Sequence, residues 1–138
     1  YGPKCPCGGS ACLERYVGNK ELLEKIRKIF KNKLMHLEDI YELANKGNPR
    51  AIQFWNQVAT YVGHGLVGVV NLLNPRMIII GGGVSNNLKF MKKGIEDIVH
   101  TQSMRVQREM VKIVRAKLGD DAGIIGASVL VKQMLLSK

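Results

Sequence analysis

At 138 residues and 46% hydrophobic content, the chain is long enough for one modest globular domain, and no run approaches the roughly 18 apolar residues that a membrane span requires. A formal charge of +10, from 21 Lys and Arg against 11 acidic residues, is compatible with a phosphate-bearing or nucleic-acid partner; but no aromatics interleave the basic residues and many belong to helical pairs such as Glu21 with Lys25, so no nucleic-acid surface is assigned. Three cysteines within the first 12 residues form a poor disulfide framework and a good partial metal site, which points to a reducing, cytoplasmic setting without export.

The chain divides into a loop over 1–18, a helical stretch over 19–74 and a strand-helix-strand-helix stretch over 75–138. Tyr1-Gly2-Pro3-Lys4 carries no initiating Met and no signal pattern, and reads as an internal point of a longer protein. From Asn19, the residues Leu22, Leu23, Ile26 and Phe30 fall on one helical stripe, and Leu34 to Ala44 predicts a second amphipathic helix. Asn48-Pro49 is a helix start and Asn74-Pro75 a stop. Between them Trp55, Val58, Val62, Leu66, Val69, Val70 and Leu73 mark a broad buried face, with Gly63, Gly65 and Gly68 as points of close approach. Met77 to Ile80 reads as a strand buried on both faces, followed by the turn Gly81-Gly82-Gly83-Val84-Ser85 and a helix from about Asn87. A second strand is expected over Val111 to Arg115, then a turn through Leu118 to Gly123 and a last apolar helix. Strands alternating with helices indicate an α/β layer with parallel pairing. Two strands are too few for a complete sheet, so the chain is expected to self-associate or to pair with a missing remainder.

The candidate chemistry lies at three places. Cys5, Cys7 and Cys12 lie in a glycine-rich loop that suits three thiolates around a tetrahedral, structural zinc, with the fourth ligand expected upstream. His36, His64 and His100 each fall on a predicted helix and are read as surface or packing residues. Gly81, Gly82 and Gly83, directly after a buried strand, allow a ligand to approach the backbone, with the next helix opening toward it; a plain tight turn is the alternative. Glu14 suits a helix start as well as a fixed acceptor for hydroxyls. Asp120 and Asp121 are read as capping residues.

The string CPCGGSACLE resembles the signature of the ROK family of bacterial sugar kinases and sugar-responsive repressors, Cys-x-Cys-Gly-x-x-Gly-Cys-x-Glu. Ala11 stands where that family usually has Gly. Ala44 to Gly47, Val70 to Pro75, the IIIGGGVS run and LGDDAGIIGA are also similar to the family's carboxy-terminal half, closest to its glucokinase-like members. The resemblance implies the carboxy-terminal part of an actin-like ATPase, a ribonuclease H-like lobe, helix-rich and opened by a zinc loop. It implies Cys5, Cys7 and Cys12 as zinc ligands, Glu14 as a contact to sugar hydroxyls and Gly81 to Gly83 as the adenosine-contacting turn.

Such a protein would transfer phosphate from ATP, with magnesium, to a hexose or amino-hexose, and would be a dimer. The family's general-base Asp would lie upstream, so this chain alone is expected to be inactive, with no catalytic residue of its own. The alternative is the sugar-binding lobe of a transcriptional repressor, in which case DNA becomes a partner. A zinc-stabilised interaction module is a third reading.

Overall fold

A computed structural model describes residues 2–136. The helices are α1 Glu14–Val17, α2 Asn19–Phe30, α3 Leu37–Asn45, α4 Pro49–Leu73, α5 Leu88–Gln102, α6 Arg105–Met110 and α7 Ala122–Leu136, and the strands are β1 Met77–Ile80 and β2 Lys112–Arg115. α6 is absent from the sequence reading, and α3 begins three residues later than expected.

α4 is the longest element because both of its ends are chemically fixed. The Asn48 Oδ1 accepts from the N–H groups of Arg50 at 3.0 Å and Ala51 at 3.2 Å, and Pro49 needs no partner for its nitrogen. At the other end Asn74 takes a left-handed conformation with φ 45°, which stops the helix. Ala51, Phe54, Trp55, Val58, Ala59, Gly63 and Val70 are buried along one side of α4. Leu22 and Ile26 of α2, Ile40 of α3 and Met91 and Ile95 of α5 complete the core around Trp55. Val69 and Leu73, expected on the buried face, are exposed, because the packed stripe of α4 is narrower at its C-terminal end.

α5 lies close against α4. A β-carbon at Gly63 would stand 3.0 Å from the Ile98 Cβ, and one at Gly94 would stand 3.2 Å from that of Ala59. Gly65 serves likewise, 3.0 Å from a Leu13 methyl. Gly68 does not: no atom lies within 4 Å of the position its side chain would take. The expectation of close approach therefore holds for two of the three glycines of α4.

β1 and β2 pair in parallel, with Met77 opposite Lys112 and Ile80 opposite Arg115, as expected for strands joined by a helical crossover. The expected burial of β1 on both faces is overturned. Ile78 and Ile80 pack toward the helical core, whereas Met77 is 52% and Ile79 63% exposed. An apolar run signals two faces that can be covered, but among the described residues helices cover only one. α7 is apolar over most of its surface, Ser128, Lys132 and Gln133 being its polar residues, and has no buried residue. No helix among the described residues is long and apolar enough to cross a membrane.

The α4–α5 contact makes a paired prediction. Gly63→Ala should destabilise the chain by about 1–3 kcal/mol through overpacking against Ile98, while Gly68→Ala should stabilise it by about 1 kcal/mol through helix propensity alone. Denaturant melts of the two variants check both signs.

Candidate metal loop and nucleotide cleft

The first candidate site is a loop whose shape owes little to apolar burial. Lys4 and Ser10 form an isolated antiparallel bridge. Inside it the Cys5 N–H donates to the Gly9 carbonyl at 2.9 Å and the Gly8 N–H to the Cys5 carbonyl at 3.0 Å. This tight turn folds the three thiols together: the sulfurs of Cys5, Cys7 and Cys12 all lie within 4.8 Å of one another, and Cys7 Sγ is 3.5 Å from Cys12 Sγ. Tetrahedral zinc with thiolate bonds of about 2.3 Å sets its sulfurs about 3.8 Å apart, so the donor set and its spacing fit such an ion. Gly9 lies against the cluster: a β-carbon there would make ordinary contact, 3.6 Å, with both the Cys7 and Cys12 sulfurs.

The thiols also share protons unequally. The Gly9 N–H, and then the thiols of Cys5 and Cys12, hold Cys7 below its ordinary value. Cys12, hydrogen-bonded to Cys7 and then to Cys5, is pushed up to about 11. Three sulfurs this close cannot all ionise without a cation among them. No histidine or carboxylate joins them among the described residues. His36 opens α3, with its N–H donating to Asp39 Oδ2 at 2.7 Å, and His64 Nε2 lies 3.3 Å from Gln102 Nε2.

Glu14 opens α1, two residues after Cys12. Its carboxylate is exposed and lies over Gly18, where an added β-carbon would come within 2.5 Å of Oε1. α1 is fastened to α4 by Leu13 against Gly65 and by the Tyr16–Tyr61 ring pair, centroids 4.8 Å apart. Lys25 lies over the Tyr61 ring at 4.9 Å, and burial pulls its ammonium below the usual range. The cysteine loop is thus seated on the long helix.

The second candidate site is a cleft of about 810 Å³ at the carboxyl ends of β1 and β2, the edge at which α/β sheets bind their ligands. Gly83 lines it, as do Val84, Asn86 and Asn87 of the 3-10 turn Gly83–Asn87, and Arg115 closes β2 beside them. Gly82 has φ 74° and starts the turn, but neither it nor Gly81 lines the cleft. The opposite wall is α3, through Leu37, Glu38, Tyr41 and Glu42, with Asn19 at the start of α2. Glu14 and the cysteines do not line this cleft. The Asp121 N–H donates to the Leu118 carbonyl at 3.2 Å in the turn before α7, while the Asp120 side chain lies outside the described residues.

Tyr41, Asn87 and Arg115 were not singled out from the sequence. Arg115 could have been, as the last residue of a strand parallel to β1. Asn87 is 5% exposed and its Oδ1 has no partner, a state that composition cannot reveal. Tyr41 carries no sequence signal, because its place in the wall depends on how α3 is packed.

A sequence model of the ROK family matches residues 1–134. The DNA-binding transcriptional dual regulator NagC of Escherichia coli is 30% identical over 144 residues, covering 99% of this chain and 35% of that protein. The N-acetyl-D-glucosamine kinase of Haemophilus influenzae is 28% identical over 127 residues, covering 92% of this chain and 41% of that protein. The crystal structure of a ROK family glucokinase from Streptomyces griseus, in complex with glucose and AMPPNP, superposes with a TM-score of 0.80 at 25% identity, covering 96% of this chain and 48% of that one. The chain thus spans between a third and a half of the length of these relatives.

Ala11 offers a test of the loop. Its φ of 56° is left-handed, a conformation that costs an L-residue about 1–2 kcal/mol and glycine almost nothing. Ala11→Gly should therefore raise stability by about 1 kcal/mol, read as a higher melting midpoint.

Proposed function

The chain belongs to the ROK family, and on that premise we propose that it is the carboxy-terminal part of an ATP-dependent kinase acting on a hexose or amino-hexose. In this reading it supplies a structural zinc site, one sugar contact and one side of the nucleotide cleft. The observation that carries it is the cleft itself: a glycine turn at the carboxyl ends of two parallel strands opens onto about 810 Å³ of space, beside the guanidinium of Arg115. That is room for a nucleotide.

Phosphoryl transfer asks a protein mostly for positioning and for charge stabilisation. Cys5, Cys7 and Cys12 would hold the zinc, whose bonds fix the loop and so aim the helix that begins at Glu14. The Glu14 carboxylate accepts hydrogen bonds from sugar hydroxyls. Gly83, which lines the cleft, lets the nucleotide approach the backbone, and Gly81 and Gly82 shape the turn that presents it. Magnesium, held with the ATP, would supply charge neutralisation at the phosphates. The general base is assigned to the part of the protein outside this chain, as is the fourth zinc ligand. Thiols left unpaired suit a reducing cytoplasm. The bare outer face of β1 would be covered by the rest of the protein or by a second copy in a dimer.

The second reading, the sugar-binding lobe of a DNA-binding repressor, is supported by the 30% identity to NagC. It keeps the roles of Glu14 and the cysteines and drops that of the cleft.

Two measurements test these assignments. Protein purified without added metal should carry one zinc per chain by elemental analysis; absence of zinc together with three freely titrating thiols would overturn the metal site. The complete protein should phosphorylate glucose or N-acetylglucosamine with ATP in a coupled assay. Glu14→Gln should weaken its sugar binding by about 1–3 kcal/mol without lowering its melting point. Sugar binding without turnover, accompanied by sugar-dependent release of DNA, would favour the repressor.

A further inference from the structure

The cleft is polarised. On the α3 wall stand two carboxylates, Glu38 and Glu42, and on the opposite wall stands Arg115, which donates to Asn86 Oδ1. A polyphosphate is repelled from the first wall and drawn to the second, where the glycine turn also lies. The uncharged end of a nucleotide must therefore face α3. There Leu37 and Tyr41, with Val84 across from them, offer the apolar surfaces that a flat heteroaromatic ring requires.

Tyr41 does not stand alone. Lys89, in the first turn of α5, donates to Asn45 Oδ1 across the gap between α5 and α3. Its ammonium lies 4.9 Å from the Tyr41 ring centroid and 4.9 Å from that of Phe90. The two rings meet edge-on at 6.0 Å. Lys89 has no carboxylate partner among the described residues, so its charge is spent on the two rings and on the Asn45 amide. Asn45, and then Lys89, hold the Tyr41 phenol below its usual range, with a further contribution from Arg115. The ring is thus held by a group that also ties α3 to the helix that follows the glycine turn.

We propose that Tyr41 is the residue on which the nucleotide base rests, and that Lys89, pinned to Asn45, is the positioning residue that holds the ring in the cleft wall. This rests on the nucleotide reading given above and adds the orientation of the ligand and the residues that read its base. It requires that contributions from the base and from the phosphates be separable by mutation.

The experiment is calorimetric titration of the complete protein with ADP and, separately, with inorganic pyrophosphate, which has no base. Tyr41→Ala should lower ADP affinity about tenfold, the scale of one lost base–aromatic contact, and leave pyrophosphate affinity unchanged. Tyr41→Phe should keep ADP affinity within about twofold, since the ring remains. Lys89→Met should lower ADP affinity about fivefold, and Lys89→Arg should restore it, because a guanidinium can both stack on the rings and donate to Asn45. If Tyr41→Ala does not fold, the lysine pair and Tyr41→Phe carry the test. Wild-type protein that binds ADP as tightly as do Tyr41→Ala and Lys89→Met sinks this assignment alone. Equal losses for ADP and pyrophosphate sink it too, by showing general damage to the turn. Wild-type protein that binds no ADP removes the nucleotide reading and this inference with it.

Discussion

α4 and α5 can lie as close as they do only because Gly63 has no side chain where Ile98 arrives and Gly94 has none where Ala59 arrives. Nearly everything functional hangs on that contact. α5 begins where the turn Gly83–Asn87 ends, so the separation of the two helices sets how far the turn stands from α3 and thus how wide the cleft is. Two residues further along α4, and so on its other side, Gly65 admits Leu13 and seats the cysteine loop. A single long helix therefore carries both candidate sites, one on each side, and two of its three glycines are seats for other elements.

The two sites are stabilised by different physics. The cleft is shaped by ordinary packing: Leu88, Met91 and Ile95 are buried and hold α5 in place. The cysteine loop is anchored beside α4 at Leu13, but none of residues 2–12 is itself buried. Its order comes from a few backbone hydrogen bonds, a residue in a left-handed conformation at Ala11 and three thiols in mutual contact. Burial is cheap to maintain and tolerant of small changes, whereas a loop held by sulfur depends on what the sulfurs hold. Glu14, the proposed acceptor for sugar hydroxyls, stands next to the second kind of support, so its position would be a matter of coordination chemistry more than of packing once a metal is held.

Much of this was legible in the sequence. The ends of α4 were marked by Asn48-Pro49 and Asn74-Pro75, the strand Met77–Ile80 by its β-branched run, and the cysteine loop by spacing alone. What was not legible shares one cause: periodicity says where a side chain points, not what stands there. Gly68 resembles Gly63 in sequence, yet only Gly63 meets a neighbour. Ile79 resembles Ile78, yet only Ile78 meets the helical core. Tyr41 belongs to the same group, since its role in the cleft wall exists only once α3 and α5 are brought together. α6 was missed for a simpler reason: its six residues, Arg105–Met110, contribute no buried side chain and so leave no stripe to read.

The parallel pair β1 and β2 is the slightest element of the fold, four residues on each strand, with open edges and one bare face. Its two strands end at the cleft, so a ligand touching both the glycine turn and Arg115 binds only molecules in which the pair is closed. Mass action then makes occupancy a source of order for the sheet: a ligand present at a hundred times its dissociation constant adds about 2.7 kcal/mol to the closed form. With the proposed nucleotide bound, the order of the strand pair would follow occupancy of the cleft. Backbone amides of Ile78 to Ile80 and Ile113 to Arg115 would exchange with solvent at a rate that reports how full the cleft is, while those of α4 would not.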